Sequence, residues 1–226
     1  MPAKAAAPPA HKVIISGTGR SGTTFLVQLL TELGLDTGIN GRNRDRKYFK
    51  NCNAGLEHNL LDDETPYIVK NPALCTRLAA ALATGRFVID HAYIPVRNLD
   101  DAAASRIDVG GSNASVPGGL WGTAQPSAQR AVLAEMFHEL VHTLVSHDIP
   151  MTFIGFPRMV TDPEYTRAKL CFLVEGAGRD RFREAFERVA DPSLVHCFGS
   201  GAAKIERAPL PERRRGVISR ILGPKR

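Results

Sequence analysis

No apolar stretch in this 226-residue chain approaches the roughly 20 residues that a helix needs to cross a bilayer. The segment Met1 to Ala10 is rich in Ala and Pro, carries one lysine and lacks an unbroken apolar core. It reads as a disordered tail and not as a signal peptide, so a cytoplasmic location, bacterial or general, is expected. Cysteine is also scarce. Cys52, Cys75, Cys171 and Cys197 lie far apart with no C-x-x-C pair, which favours buried thiols over a zinc site or a disulfide framework. Internal repeats and a second domain are not evident. The body of the chain lacks a charge excess. Eight basic and two acidic residues fall between Lys204 and Arg226, and the remainder carries 21 of each sign. The net charge of +6 therefore belongs to a basic tail over 201–226. A domain over 11–200 is not expected to bind nucleic acid. The tail suits an anionic partner, a membrane surface among them.

What is present is a regular alternation of strand and helix patterns. The length and the 43% hydrophobic content fit one well-cored domain. A strand is predicted over His11–Ser16. A helix follows from about Gly22 to Leu33, with Leu26, Leu29, Leu30 and Leu33 on one face. Residues 35–66 are polar and irregular. Further strands are predicted at Tyr67–Lys70, Phe87–Val96 and Pro150–Phe156. Helices are predicted over 73–84, 98–107, 127–146, 163–175 and 179–189, with Asn98 as an N-cap before Asp100 and Asp101. Residues 109–127, rich in Gly, Ser, Asn and Pro around the single tryptophan Trp121, read as a lid or a connector. The alternation predicts an α/β, three-layer P-loop-like fold, with a central parallel sheet and helices on both faces.

The chemistry concentrates in Val13 to Leu30, a buried strand, a glycine-rich turn and an amphipathic helix. Small residues let the backbone wrap an anion, and the helix N-terminus offers unpaired N–H groups. Gly17 to Thr24 nearly matches the phosphate-binding pattern G-x-x-x-x-G-K-[ST], but Thr23 stands in the place of the lysine. Ser21, Thr23 and Thr24 add hydroxyls. Arg97, at the end of the strand Phe87–Val96, and Ser105, eight residues on in the next helix, can converge on one anion.

Arg20-Ser21-Gly22-Thr23-Thr24 resembles the 5′-phosphosulfate loop of sulfotransferases that use 3′-phosphoadenosine 5′-phosphosulfate (PAPS). Ile94 to Arg106 resembles their 3′-phosphate site, including the Arg97-to-Ser105 spacing. Ile68-Val69-Lys70-Asn71-Pro72 is similar to a V-K-x-P segment between those motifs in bacterial members, and Met151–Leu173 to their later strand and helix. The resemblance covers roughly residues 12 to 175. It implies in-line sulfuryl transfer to a hydroxyl or amine of a small-molecule or carbohydrate acceptor, with no metal and adenosine 3′,5′-bisphosphate as product. It implies donor binding by Gly19, Arg20, Ser21, Gly22, Thr23, Thr24, Arg97 and Ser105. Arg20 is expected to stabilise charge on the leaving 5′-phosphate, and Lys70 to bind the bridging oxygen or the moving group.

The general base is less marked in the sequence. Asp36, Asp45, Glu57 and His58 follow the first helix. Glu57 is favoured because a small-residue turn can aim it into a cleft, with His58 second; His91, within a strand, reads as a core histidine. Two other readings stay open. Asp90 would hold Mg²⁺ in a P-loop kinase, although the missing loop lysine counts against one. Alternatively, the basic and apolar run Arg213–Leu222 would serve a non-catalytic docking module. Oligomeric state and acceptor identity have no signature here.

Overall fold

The computed structural model describes residues 8–43, 47–49, 52–110 and 117–195. Asp45, residues 111–116 of the glycine-rich segment, Cys197, residues 1–7 and the basic tail lie outside the described residues.

Strand β1 (Ala10–Ile15) alternates its side chains between two cores. Val13 and Ile15 face one side, and Ile14 faces the other. Strands β4 (Ile68–Lys70) and β5 (Phe87–Val96) flank it, both parallel, and β6 (Met151–Gly155) pairs in parallel with β5. The sheet is thus four-stranded, all parallel, in the order β4-β1-β5-β6. Helices cover both faces, as expected. Helix α1 (Thr23–Glu32) packs Leu26, Leu29 and Leu30 over Val13 and Ile15, joined by Phe182 and Phe186 of α8 (Arg179–Val189). On the other face, Leu78 of α2 (Leu74–Leu82) and Leu140 and Leu144 of α4 (Gln129–Ser146) cover Ile14.

The remaining helices are α3 (Leu99–Gly110), α5 (Arg158–Thr161), α6 (Pro163–Lys169) and α7 (Cys171–Val174). Asn98 caps α3 as expected: its Oδ1 accepts from the N–H groups of Asp100 and Asp101 at 2.8 and 3.2 Å. The single helix expected over 163–175 is instead two, α6 and α7, meeting at Leu170. Strands β2 (Tyr48–Phe49) and β3 (Ala54–Gly55) form a small antiparallel hairpin in the segment read as irregular. Among the described residues, no helix is long and apolar enough to cross a membrane.

From β1 the chain moves to β4 on one side and then to β5 on the other. Such a reversal opens a crevice at the carboxyl ends of the central strands, where ligands of parallel α/β sheets bind. The glycine-rich turn leaves β1 at that crevice.

Candidate active site

The turn between β1 and α1 is held in a conformation that glycine favours. Gly19 and Gly22 have φ of 67° and 91°, and a Cβ on Gly19 would clash with Arg106 Nη2. Arg20 shares the left-handed region, with φ of 55°, which few non-glycine residues adopt. Helix α1 starts directly after Gly22, with no side-chain cap and no acidic residue in its first turn. Thr23 and Thr24 line a cavity of about 620 Å³, so the uncapped helix end and its N–H groups open onto it.

Arg20 gathers the other elements around the turn. Its carbonyl accepts from Arg97 Nη1 at 2.8 Å, and its Nε donates to Ser105 Oγ at 3.0 Å. Its Nη1 donates to the carbonyl of Cys52, just before β3. Arg106 braces the turn from behind. It donates to the carbonyls of Thr18 and Gly119, both at 2.7 Å, and lies 4.9 Å from the centre of the Trp121 ring. Arg97 lies over the Phe156 ring at 5.0 Å.

The electrostatics of this cluster are unbalanced. Arg20 and Arg106 are hydrogen-bonded to neutral oxygens. Among the described residues no carboxylate forms an ion pair with either. Burial lowers the pKa of Arg20, and it pushes Arg106 down to about 10, with the charge of Arg20 adding to the effect. Arg106 Nε and Ser21 Oγ are buried with no hydrogen-bond partner among the described residues. Asp108 also lines the cavity and acts on Arg20 through space, without an ion pair. Buried polar groups are rarely left unpaired, and such groups beside cations that no carboxylate contacts directly fit an anion.

Lys70 ends β4 inside the same cavity. Its side chain is almost wholly buried; its Nζ donates to the carbonyl of Gly55 at 2.8 Å and pairs with Glu57 Oε1. Burial lowers the pKa of this ammonium, against the pull of Glu57. Glu57 lines the cavity with a side chain 38% exposed, so its carboxylate is both anchored and accessible.

The cavity thus brings together Gly19, Arg20, Gly22, Thr23, Thr24, Glu57, Lys70, Arg97 and Ser105, with Ser21 buried in the turn beside it. His58 is not among its lining residues. It lines a separate cavity with Lys12 and Asp36, where Lys47 Nζ lies 3.4 Å from its Nε2. The reason is local: the His58 N–H donates to the Lys70 carbonyl at 3.1 Å and its own carbonyl accepts from Asn71 Nδ2. In such an extended run, neighbouring side chains point to opposite sides. Burial and the nearby Lys47 also lower the pKa of His58. Asp36 is engaged elsewhere, its carboxylate accepting from the Tyr67 N–H at 2.8 Å before β4. His91 bonds Thr152 Oγ1 at 2.8 Å and stacks on Phe172. Asp90 is held by His11 and Tyr67 at 2.6 and 3.0 Å. It lies at the Lys12–Val13 irregularity of the β1–β5 pairing, before the end of β1 from which the turn departs.

Several lining residues had no sequence signal. The Cys52 carbonyl is a backbone atom, and residue type says nothing about it. Arg188 and Asp191 reach the cavity from the end of α8 and beyond, far from every motif in the chain. Comparisons with family models, with curated proteins and with solved structures find no match to this chain.

Proposed function

We propose that this protein is a sulfotransferase that takes its sulfuryl group from PAPS and passes it to a hydroxyl or amine of an acceptor. One observation carries the reading: a glycine turn, Arg20, Arg97 and Ser105 converge on one cavity, where buried Arg20 and Arg106 form no ion pair among the described residues. The donor set suits a ligand with two separate phosphate-type anions. The turn, Thr23, Thr24 and the uncapped end of α1 would hold the 5′ end, and Arg97 with Ser105 the 3′-phosphate. The unpaired Ser21 hydroxyl and the cradle that a Cβ on Gly19 would fill agree with that fit.

Bound there as substrate, the donor supplies an activated sulfuryl group on a 5′-phosphate leaving group. The chain's own groups then divide the work. Glu57 Oε takes the proton of the acceptor hydroxyl as the acceptor oxygen forms its bond to sulfur. Arg20 and the first N–H groups of α1 stabilise the negative charge that collects on the departing phosphate oxygen. Lys70 fixes the Glu57 carboxylate and places a positive charge beside the transferring group. Asp90, bonded to His11 and Tyr67, is not among the lining residues of the cavity, which favours sulfuryl transfer over the Mg²⁺-dependent kinase reading.

The test is calorimetric titration with adenosine 3′,5′-bisphosphate in the absence of metal, run beside ATP with Mg²⁺. The bisphosphate alone is expected to bind, and Arg97→Ala to weaken it by at least about tenfold, the loss of one charge-assisted contact. Binding of ATP with Mg²⁺ alone would turn the reading to phosphoryl transfer. Binding of neither would leave a docking module.

A further inference from the structure

Helix α4 carries His138-Glu139-Leu140-Val141-His142, two imidazoles one helical turn apart. Residues four apart lie on one face of a helix, and the two rings sit with centroids 6.0 Å apart and planes 34° from one another. Leu133, Leu140 and Leu144 bury the opposite face of α4 in the core. The histidines are therefore exposed, and so are Glu135 and Glu139 beside them. Neither histidine lines either cavity described above.

We propose that His138 and His142 form a two-imidazole chelate for a late first-row divalent metal ion on the outer face of α4, separate from the transfer site. Imidazole nitrogen suits Cu²⁺, Ni²⁺ and Zn²⁺, and affinity for such a site rises toward Cu²⁺. The H-E-x-x-H spacing also occurs in metalloproteases, where the glutamate is a general base. Here the pair stands on an exposed helix face. Among the described residues, no group of three or more ligating side chains converges on a common point. The site therefore supplies two protein ligands, with water filling the remaining positions, and it binds metal without hydrolytic chemistry.

Equilibrium dialysis of the full, tag-free chain against Cu²⁺ tests this, with His138→Ala, His142→Ala and His147→Ala run in parallel. One ion per chain is expected at the site. Loss of a direct ligand costs at least as much as loss of an outer-shell partner, so each of the first two substitutions should weaken binding by about tenfold or more. His147→Ala should bind as the parent does. All three positions are exposed, so the variants keep the core intact, and a circular dichroism melt of each checks that. Cu²⁺ should also raise the melting temperature of the parent and not of His142→Ala, because binding to the folded state alone stabilises it. Undiminished Cu²⁺ binding by His142→Ala, or no binding by the parent, would overturn the proposal. Adenosine 3′,5′-bisphosphate titrations are independent of either result.

Discussion

Lys70 holds an ammonium group where water barely reaches, with a carbonyl and one carboxylate as partners. Burial lowers its pKa below the ordinary 10.5. In the window between the lowered value and 10.5, the unfolded chain still holds a proton that the folded chain has lost. Stability attributable to this group therefore rises with pH across that window. Urea unfolding of the parent and of Lys70→Met at a series of alkaline pH values should show the parent gaining relative to the variant. A difference that stays flat with pH would mean that the folded Lys70 keeps an ordinary pKa. In the proposed reaction the same substitution should slow transfer by about 10²- to 10³-fold, the usual cost of removing one electrostatic contact at a reacting centre. At this scale the sequence was readable where side chains act through fixed spacing. Arg97 ends a strand and Ser105 lies in the next helix, so both could reach Arg20. It was unreadable where the partner is a backbone atom, as with the Cys52 carbonyl. It could not show that Glu57 and His58, adjacent in sequence, line different cavities, because adjacency carries no sense of direction.

Helices and strands were legible wherever apolar period and punctuation agreed. Gly22 and Gly34 bracket α1, Asn98 opens α3, and Asp162 with Pro163 opens α6, the Asp162 carboxylate accepting from the Tyr165 N–H at 2.9 Å. The hairpin β2–β3 escaped because two-residue strands have no period to detect. Another tie between elements was equally hidden. The side chain of Gln129, fully buried at the start of α4, accepts from the Trp121 N–H at 2.7 Å and donates to the Trp121 carbonyl at 3.0 Å. It thereby acts as a piece of backbone, pinning the segment after residue 117 to the helix. Gln129→Leu leaves both Trp121 groups without partners. It should cost about 2–3 kcal/mol in a urea midpoint measurement, with accelerated amide exchange at Trp121. On the opposite face, α8 is joined to α1 by Phe182 and by Phe186, whose ring meets Phe25 edge-on at 5.5 Å. Phe182→Ala should cost about 3–5 kcal/mol, because the cavity left between packed elements collapses only in part.

Taken whole, the molecule separates its chemistry from its charge. The parallel sheet with helices on both faces followed from the strand–helix alternation, whereas the strand order β4-β1-β5-β6 and the arrival of Arg188 and Asp191 at the cavity required the three-dimensional path of the chain. All of the formal net charge lies from Lys204 onward. The full chain should bind vesicles containing anionic lipid in a manner that fades with added salt. A chain ending at Val195 should lose that binding while keeping its affinity for adenosine 3′,5′-bisphosphate. Loss of both together would tie the tail to the cavity itself. One further property belongs to the molecule as a unit. Trp121 is its single tryptophan, it lines the cavity, and the Arg106 guanidinium lies against its ring. Indole emission from this protein therefore comes from one place, when excitation at the red edge of absorption spares the four tyrosines. A shift in its colour or intensity during a titration is an optical signal from the cavity wall, with no dye attached.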